Sequence, residues 1–121
     1  MTPKELVEQF YDYLVQKNEA WSTLFSENIT FADAGMNINQ AGKENVVNSF
    51  KQFLRSVEDI RVRQIITEND NVCAIVHYDY INAERDKLSQ DVAEIWQVKE
   101  GKLNSLIIYF DITVFRQFMG H

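Results

Sequence analysis

A chain of 121 residues, 45% apolar and 25% charged, has the size and composition of one soluble globular domain, expected to span 1–121. Twelve basic against eighteen acidic side chains leave a net charge of −6, and the cations are scattered without a basic run. That argues against nucleic acid or an anionic membrane as the main partner.

The opening segment MTPKEL lacks the apolar stretch of a secretory signal, and no apolar run approaches a membrane span. Cys73, the only cysteine, cannot form an intrachain disulfide, so a reducing, cytoplasmic setting is expected. Its apolar strand context predicts a buried structural thiol.

Thr2 can cap a helix, and Pro3 fits its first position. Leu6, Val7, Phe10, Tyr11, Leu14 and Val15 recur at helical spacing through Lys17. Trp21, Leu24 and Phe25 predict a short second helix, capped by Asn18 and broken at 26–28. A short strand is expected over Ile29–Asp33, then a loop or irregular edge over 34–42, with Met36 and Asn37 to Asn39 in a loop at a pocket mouth. Lys43–Val57 reads as a long helix: Val46, Val47, Phe50, Phe53, Leu54 and Val57 share one side. Gly42 offers it no side-chain cap.

From Ile60 the period changes to two. Strands are predicted over Ile60–Thr67, Val72–Asn82, Leu88–Lys99 and Leu103–Ile112, with turns at 68–71 and 100–101 and a polar connection at 83–87. The tail from Thr113 is apolar enough to pack back on the body. Three helical segments followed by a meander of long strands indicate an α+β fold. A bent antiparallel sheet with helices on its concave side would enclose a pocket.

Five ionisable residues interrupt strand-like runs: Asp33, His77, Asp79, Glu94 and Asp111. His77 and Asp79 share a strand face with Cys73, Ile75 and Ile81, whereas Ala74, Val76, Tyr78 and Tyr80 form the other face. Both faces are apolar, so periodicity leaves the interior side open. The face with His77 has three apolar neighbours; the face with Tyr78 could instead be a strip for homodimerisation. Glu94 shares its face with Val92, Trp96 and Val98, opposite Ala93, Ile95 and Gln97; in a dry pocket desolvation would raise its pKa and suit it to donate a hydrogen bond to an oxyanion, and the alternative is a surface or dimer-interface position. Asp111 ends an apolar IIYF run, as either a pocket acid or strand punctuation. Trp21, Phe31, Trp96 and Phe110 are candidate pocket walls or simple core. No GxGxxG, Walker, HExxH, CxxC or nucleophile-elbow pattern occurs, so neither a cofactor nor a metal is expected.

The element order, together with FADAG at 31–35, AGKENV at 41–46, and EGKL followed by YFD within 100–111, resembles the nuclear transport factor 2-like superfamily and its SnoaL-like branch. The resemblance covers nearly the whole chain. It implies a cone-shaped roll, a strongly bent, mostly antiparallel sheet wrapped by three N-terminal helices around an apolar pocket. It also implies pairing of subunits through their sheets. The superfamily includes polyketide cyclases, ketosteroid isomerases, limonene-type epoxide hydrolases, dehydratases and non-enzymatic binders.

Similarity to ketosteroid isomerases implies a general base at Asp33, a hydrogen-bonding acid at Glu94, and a helix tyrosine for which Tyr11 is the nearest residue, with Phe10 equally compatible. Those isomerases lack an aspartate at the place of Asp111. Similarity to limonene-type epoxide hydrolases implies Asp79 and Asp111 as paired acids, with His77 where arginine is expected. SnoaL-like cyclases use an aspartate near the place of Asp111. The expected function is cofactor-independent acid–base catalysis on a small apolar organic molecule, with Asp111 as the main group and Asp33 or the His77–Asp79 pair assisting. The alternative is a binding or assembly module of the same fold.

Overall fold

The computed structural model describes residues 1–33, 35 and 38–120. Helix α1, Pro3–Val15, begins in a reciprocal cap: Glu5 N–H donates to Thr2 Oγ1 (3.1 Å) and Thr2 N–H donates to Glu5 Oε1 (2.8 Å). A 3₁₀ helix, Glu19–Leu24, follows, capped by Asn18. Strand β1 is Phe25–Asp33, so residues 26–28 extend a strand instead of breaking a helix. The expected loop contains an edge strand, β2, at Ile38–Ala41; Met36 and Asn37 of the expected mouth loop lie outside the described residues.

Helix α2, Lys43–Leu54, starts at Gly42 without a side-chain cap. It stops before Val57, which opens strand β3, Val57–Glu68, opposite Tyr80. The Ser56 carbonyl accepts from Ile81 N–H (2.9 Å), so the chain enters the sheet directly after the helix. Strands β4, Asn71–Ile81, β5, Lys87–Lys99, and β6, Lys102–Tyr109, complete the meander. Glu100 and Gly101 both have positive φ (52° and 75°), which suits the two-residue β5–β6 turn. The last strand ends at Tyr109, and the tail forms helix α3, Ile112–Met119, ended by Gly120 at φ 82°.

The curled sheet has the order β2-β1-β6-β5-β4-β3, with β1–β6 parallel and the other pairs antiparallel. The N-terminal helices cover its concave side. On β4 the covered face is Val72, Ala74, Val76, Tyr78 and Tyr80, all buried. The strip expected at a dimer seam is therefore core, because α1 and α2 supply its cover: Phe53 on α2 meets the Tyr78 and Tyr80 rings edge-on at 5.2 and 5.9 Å. Cys73, Ile75, His77 and Asp79 are on the outer, partly exposed face, and Cys73 is not fully buried. Phe10, Tyr11, Trp21, Phe25, Phe50 and Trp96 form an aromatic core where α1, the 3₁₀ helix, α2 and the sheet meet. Among the described residues no helix is long and apolar enough to cross a membrane.

Candidate functional site

A cavity of about 500 Å³ lies between the concave sheet face, α2 and α3. Its walls are largely apolar: Phe31, Phe50, Phe53, Tyr80, Leu106, Ile108, Phe110 and Phe115 contribute. Two buried acids line it, Asp33 and Glu94, each only 3% exposed.

The sheet puts these acids together. Asp33 on β1 is in register with Ile108 on β6, and so is Glu94 on β5. The three residues form one row across three strands, with Ile108 lining the cavity between the acids. Two inter-strand steps separate their backbones by roughly 10 Å. Both side chains extend to the concave side and line the same cavity. Gly35 sits beside Asp33: a Cβ there would stand 3.5 Å from Asp33 Oδ1 and 3.2 Å from the Ile112 side chain.

Glu94 is held by two phenols. Tyr11 Oη donates to Oε1 (2.5 Å), and Tyr78 Oη donates to Oε2 (2.8 Å). Trp96 Nε1–H donates to Tyr11 Oη (2.9 Å), which leaves the Tyr11 proton directed at the carboxyl. Burial pushes the Glu94 pKa up to about 7, while the two phenol hydrogen bonds pull it down. Burial and then the Glu94 charge push the Tyr11 and Tyr78 hydroxyls far above the usual phenol range, so they remain donors at neutral pH. Glu94 can thus accept or release a proton near neutrality inside an apolar chamber.

The other sequence candidates lie elsewhere. Asp111 is exposed; its Oδ1 accepts from Val114 N–H (3.1 Å) as the N-cap of α3, and its carbonyl accepts from Gln90 Nε2 (3.0 Å). Its carboxylate does not line the cavity, but the helix it starts carries Phe115 and Met119 into the wall. His77 and Asp79 lie on the outer sheet face. His77 bridges Asp91 Oδ1 (Nδ1, 2.8 Å) and Asp79 Oδ1 (Nε2, 3.3 Å), and Arg63 donates to Asp91 Oδ2 (2.9 Å). The Ser89 hydroxyl and then His77 hold Asp79 below its usual pKa; His77 does the same to Asp91.

Of the predicted wall residues, Phe31 and Phe110 line the cavity. Tyr11 and Trp96 stand behind Glu94 in the core, and Trp21 lines a separate groove. Sequence reasoning did not single out Tyr78, Phe50, Phe53 or Tyr80 for the site. The available signal was the Phe50–Phe53 spacing on α2 and two tyrosines on one face of β4. Among the described residues no group of three His, Cys, Asp or Glu side chains is arranged to hold a metal ion.

Comparison with known proteins agrees with this architecture. A search of the curated proteins found no match. An NTF2-like protein of unknown function from Cytophaga hutchinsonii ATCC 33406 aligns with a TM-score of 0.77 at 21% identity, covering 95% of each chain. TerC, co-crystallised with polyporic acid, aligns at 0.82 and 12% identity over 98% of each chain. A protein with a ketosteroid isomerase-like fold from Catenulispora acidiphila DSM 44928, in complex with trimethylamine, aligns at 0.80 and 17% identity, covering 99% of this chain and 95% of that one. These likenesses establish the fold. The family model for the SnoaL-like domain matches residues 7–106, and the chain belongs to that family.

Proposed function

We propose that this protein is a cofactor-independent acid–base enzyme that moves a proton on a small, largely apolar organic molecule, in an isomerase, cyclase or hydrolase step. The observation that carries this reading is the pair of buried carboxyl groups, Asp33 and Glu94, facing one apolar cavity from either side of Ile108. Asp33 acts as the base on a carbon beside a carbonyl. Glu94, in its protonated form, donates to the oxygen on which charge develops, and the Tyr11 and Tyr78 hydroxyls stabilise the carboxylate it leaves behind. The apolar walls hold the substrate beside both groups and exclude water. Asp111 serves as a positioning residue through α3. TerC is a precedent for an organic ligand on this fold.

Deuterium wash-in at the α-carbon of an apolar ketone such as 2-tetralone, followed by proton NMR in heavy water, tests the proposal. Asp33→Asn and Glu94→Gln should each slow exchange by about 100-fold, the usual scale of one general acid or base. Wild-type protein exchanging no faster than buffer, or both variants matching wild type, would dispose of it.

A second reading, assembly through the sheet, is favoured by the outer face. Ile66, Cys73, Ile95 and Ile107 form one row across β3 to β6, and Ile75, Ala93 and Tyr109 form the next. Ile66 and Tyr109 are 54% and 51% exposed. A homodimer burying this face is compatible with catalysis on the opposite one.

A further inference from the structure

We infer that the cavity takes an organic anion: an elongated, mostly apolar molecule whose carboxylate meets Arg55 at the rim while its reacting end lies at Asp33 and Glu94. This rests on the reading of those two acids as the reacting end. Arg55 is the one cation among the described residues lining the cavity. It follows the last residue of α2, is exposed, and makes no ion pair or side-chain hydrogen bond among the described residues. Gln52 and Ser56, on either side of it in the chain, also line the cavity, so this end of an otherwise apolar chamber is polar. A planar guanidinium with no side-chain partner among the described residues, next to an amide and a hydroxyl, matches a carboxylate.

The fold separates this end from the acids. Arg55 lies two residues before Val57, whose row continues through Tyr80 to Leu88. Glu94 is six residues further along β5, roughly 20 Å by strand rise, a span shortened on the concave side by both side chains. The cation is therefore too far away to be the partner of Glu94, yet it shares the cavity with both acids. The chain carries a net charge of −6, which repels anions in general. An acid is accepted only where a local cation outweighs that field, which makes Arg55 a determinant of ligand orientation: carboxylate at the rim, apolar reacting end inward.

The test uses a matched pair of probes, 4-(1-naphthyl)butanoate and its methyl ester, titrated into the full chain at low salt with binding read by calorimetry. A partly exposed charge-assisted contact predicts that wild type binds the acid about 10-fold more tightly than the ester. Arg55→Met, which keeps the aliphatic stem, should bring the ratio to one or below, and Arg55→Lys should restore part of it. Raising the salt should shrink the wild-type ratio. Equal affinity for the two probes in wild type, or a preference that survives in Arg55→Met, overturns the inference. If ketone exchange still depends on Asp33 and Glu94, the catalytic reading stands without it. If neither probe binds wild type, both the inference and the cavity as a ligand site fall.

Discussion

Replacing Glu94 with Gln isolates the most unusual ionisable group in the protein. Gln keeps the volume and can still hydrogen-bond Tyr11 and Tyr78, but it cannot ionise. In the unfolded chain Glu94 titrates at its ordinary value of 4.5; in the fold, burial moves it to about 7. The folded state therefore holds the proton more tightly. The resulting stabilisation is fully present below pH 4.5, declines as pH rises toward 7, and is gone above it. Each pH unit inside that window is worth about 1.4 kcal/mol, and the whole window about 3 kcal/mol. The isoelectric point lies near 4.8, so measurements begin at pH 5.5 to keep the protein charged and soluble. From there to pH 8.5 the stability of wild type minus that of Glu94→Gln should fall by about 2 kcal/mol, most of it by pH 7. Urea unfolding at fixed pH steps measures this, and the subtraction cancels every other titrating group. A difference that is flat from pH 5.5 to 8.5 would refute the claim that the Glu94 carboxyl is desolvated.

Tyr78→Phe removes the donor to Oε2, so the Glu94 titration followed by carboxyl carbon NMR should move above 7; an unchanged midpoint would show that the phenol does not stabilise the carboxylate. Asp111→Ala should cost about 1 kcal/mol through loss of the α3 cap, whereas Asp111→Asn, itself a good cap, should retain most of the stability in thermal unfolding. If Asp111→Asn instead abolished ketone exchange while the fold stayed intact, Asp111 would be a reacting group after all. Ile95→Glu or Ile107→Glu, on the exposed outer row, should convert a dimer to a 14.2 kDa monomer in light scattering; a monomeric wild type at micromolar concentration would end the assembly proposal.

Most of the fold was legible because its periodicities are strong. The α1 stripe from Leu6 to Leu14 and the Thr2–Pro3 start appear as expected, as does the uncapped start of α2 at Gly42, whereas Val15, read as part of the stripe, ends the helix exposed. The long strands differ from expectation by at most three residues at their ends. The apolar company of Glu94 was legible in Val92, Trp96 and Val98, but Ala93 and Ile95 on the other face left a surface or interface position open until the fold buried Glu94 together with those three. The tail helix had a signal that went unused: Asp111 precedes Ile112, Phe115 and Met119, which share one helical side. A short acid after an apolar run looks the same whether it ends a strand over a pocket or caps the next helix, and only the direction of the following backbone separates the two.

The sequence by itself determined α1, the start of α2, the four long strands and the turn at Glu100–Gly101, because each depends on side chains within a few residues. It could not decide which face of β4 is interior, since Cys73, Ile75 and Ile81 alternate with Val76, Tyr78 and Tyr80 and both sets favour burial. Packing of α1 and α2 on one side decided that, sending Tyr78 inward to Glu94 and His77 outward to Asp91. Tertiary structure alone also brought together Asp33 and Glu94, which are sixty-one positions apart in the chain. Their meeting depends on β6 running parallel to β1 and antiparallel to β5, so that Ile108 is the neighbour of both. Strand order and register are long-range pairings, selected by the shape of the whole core, and no local pattern encodes them.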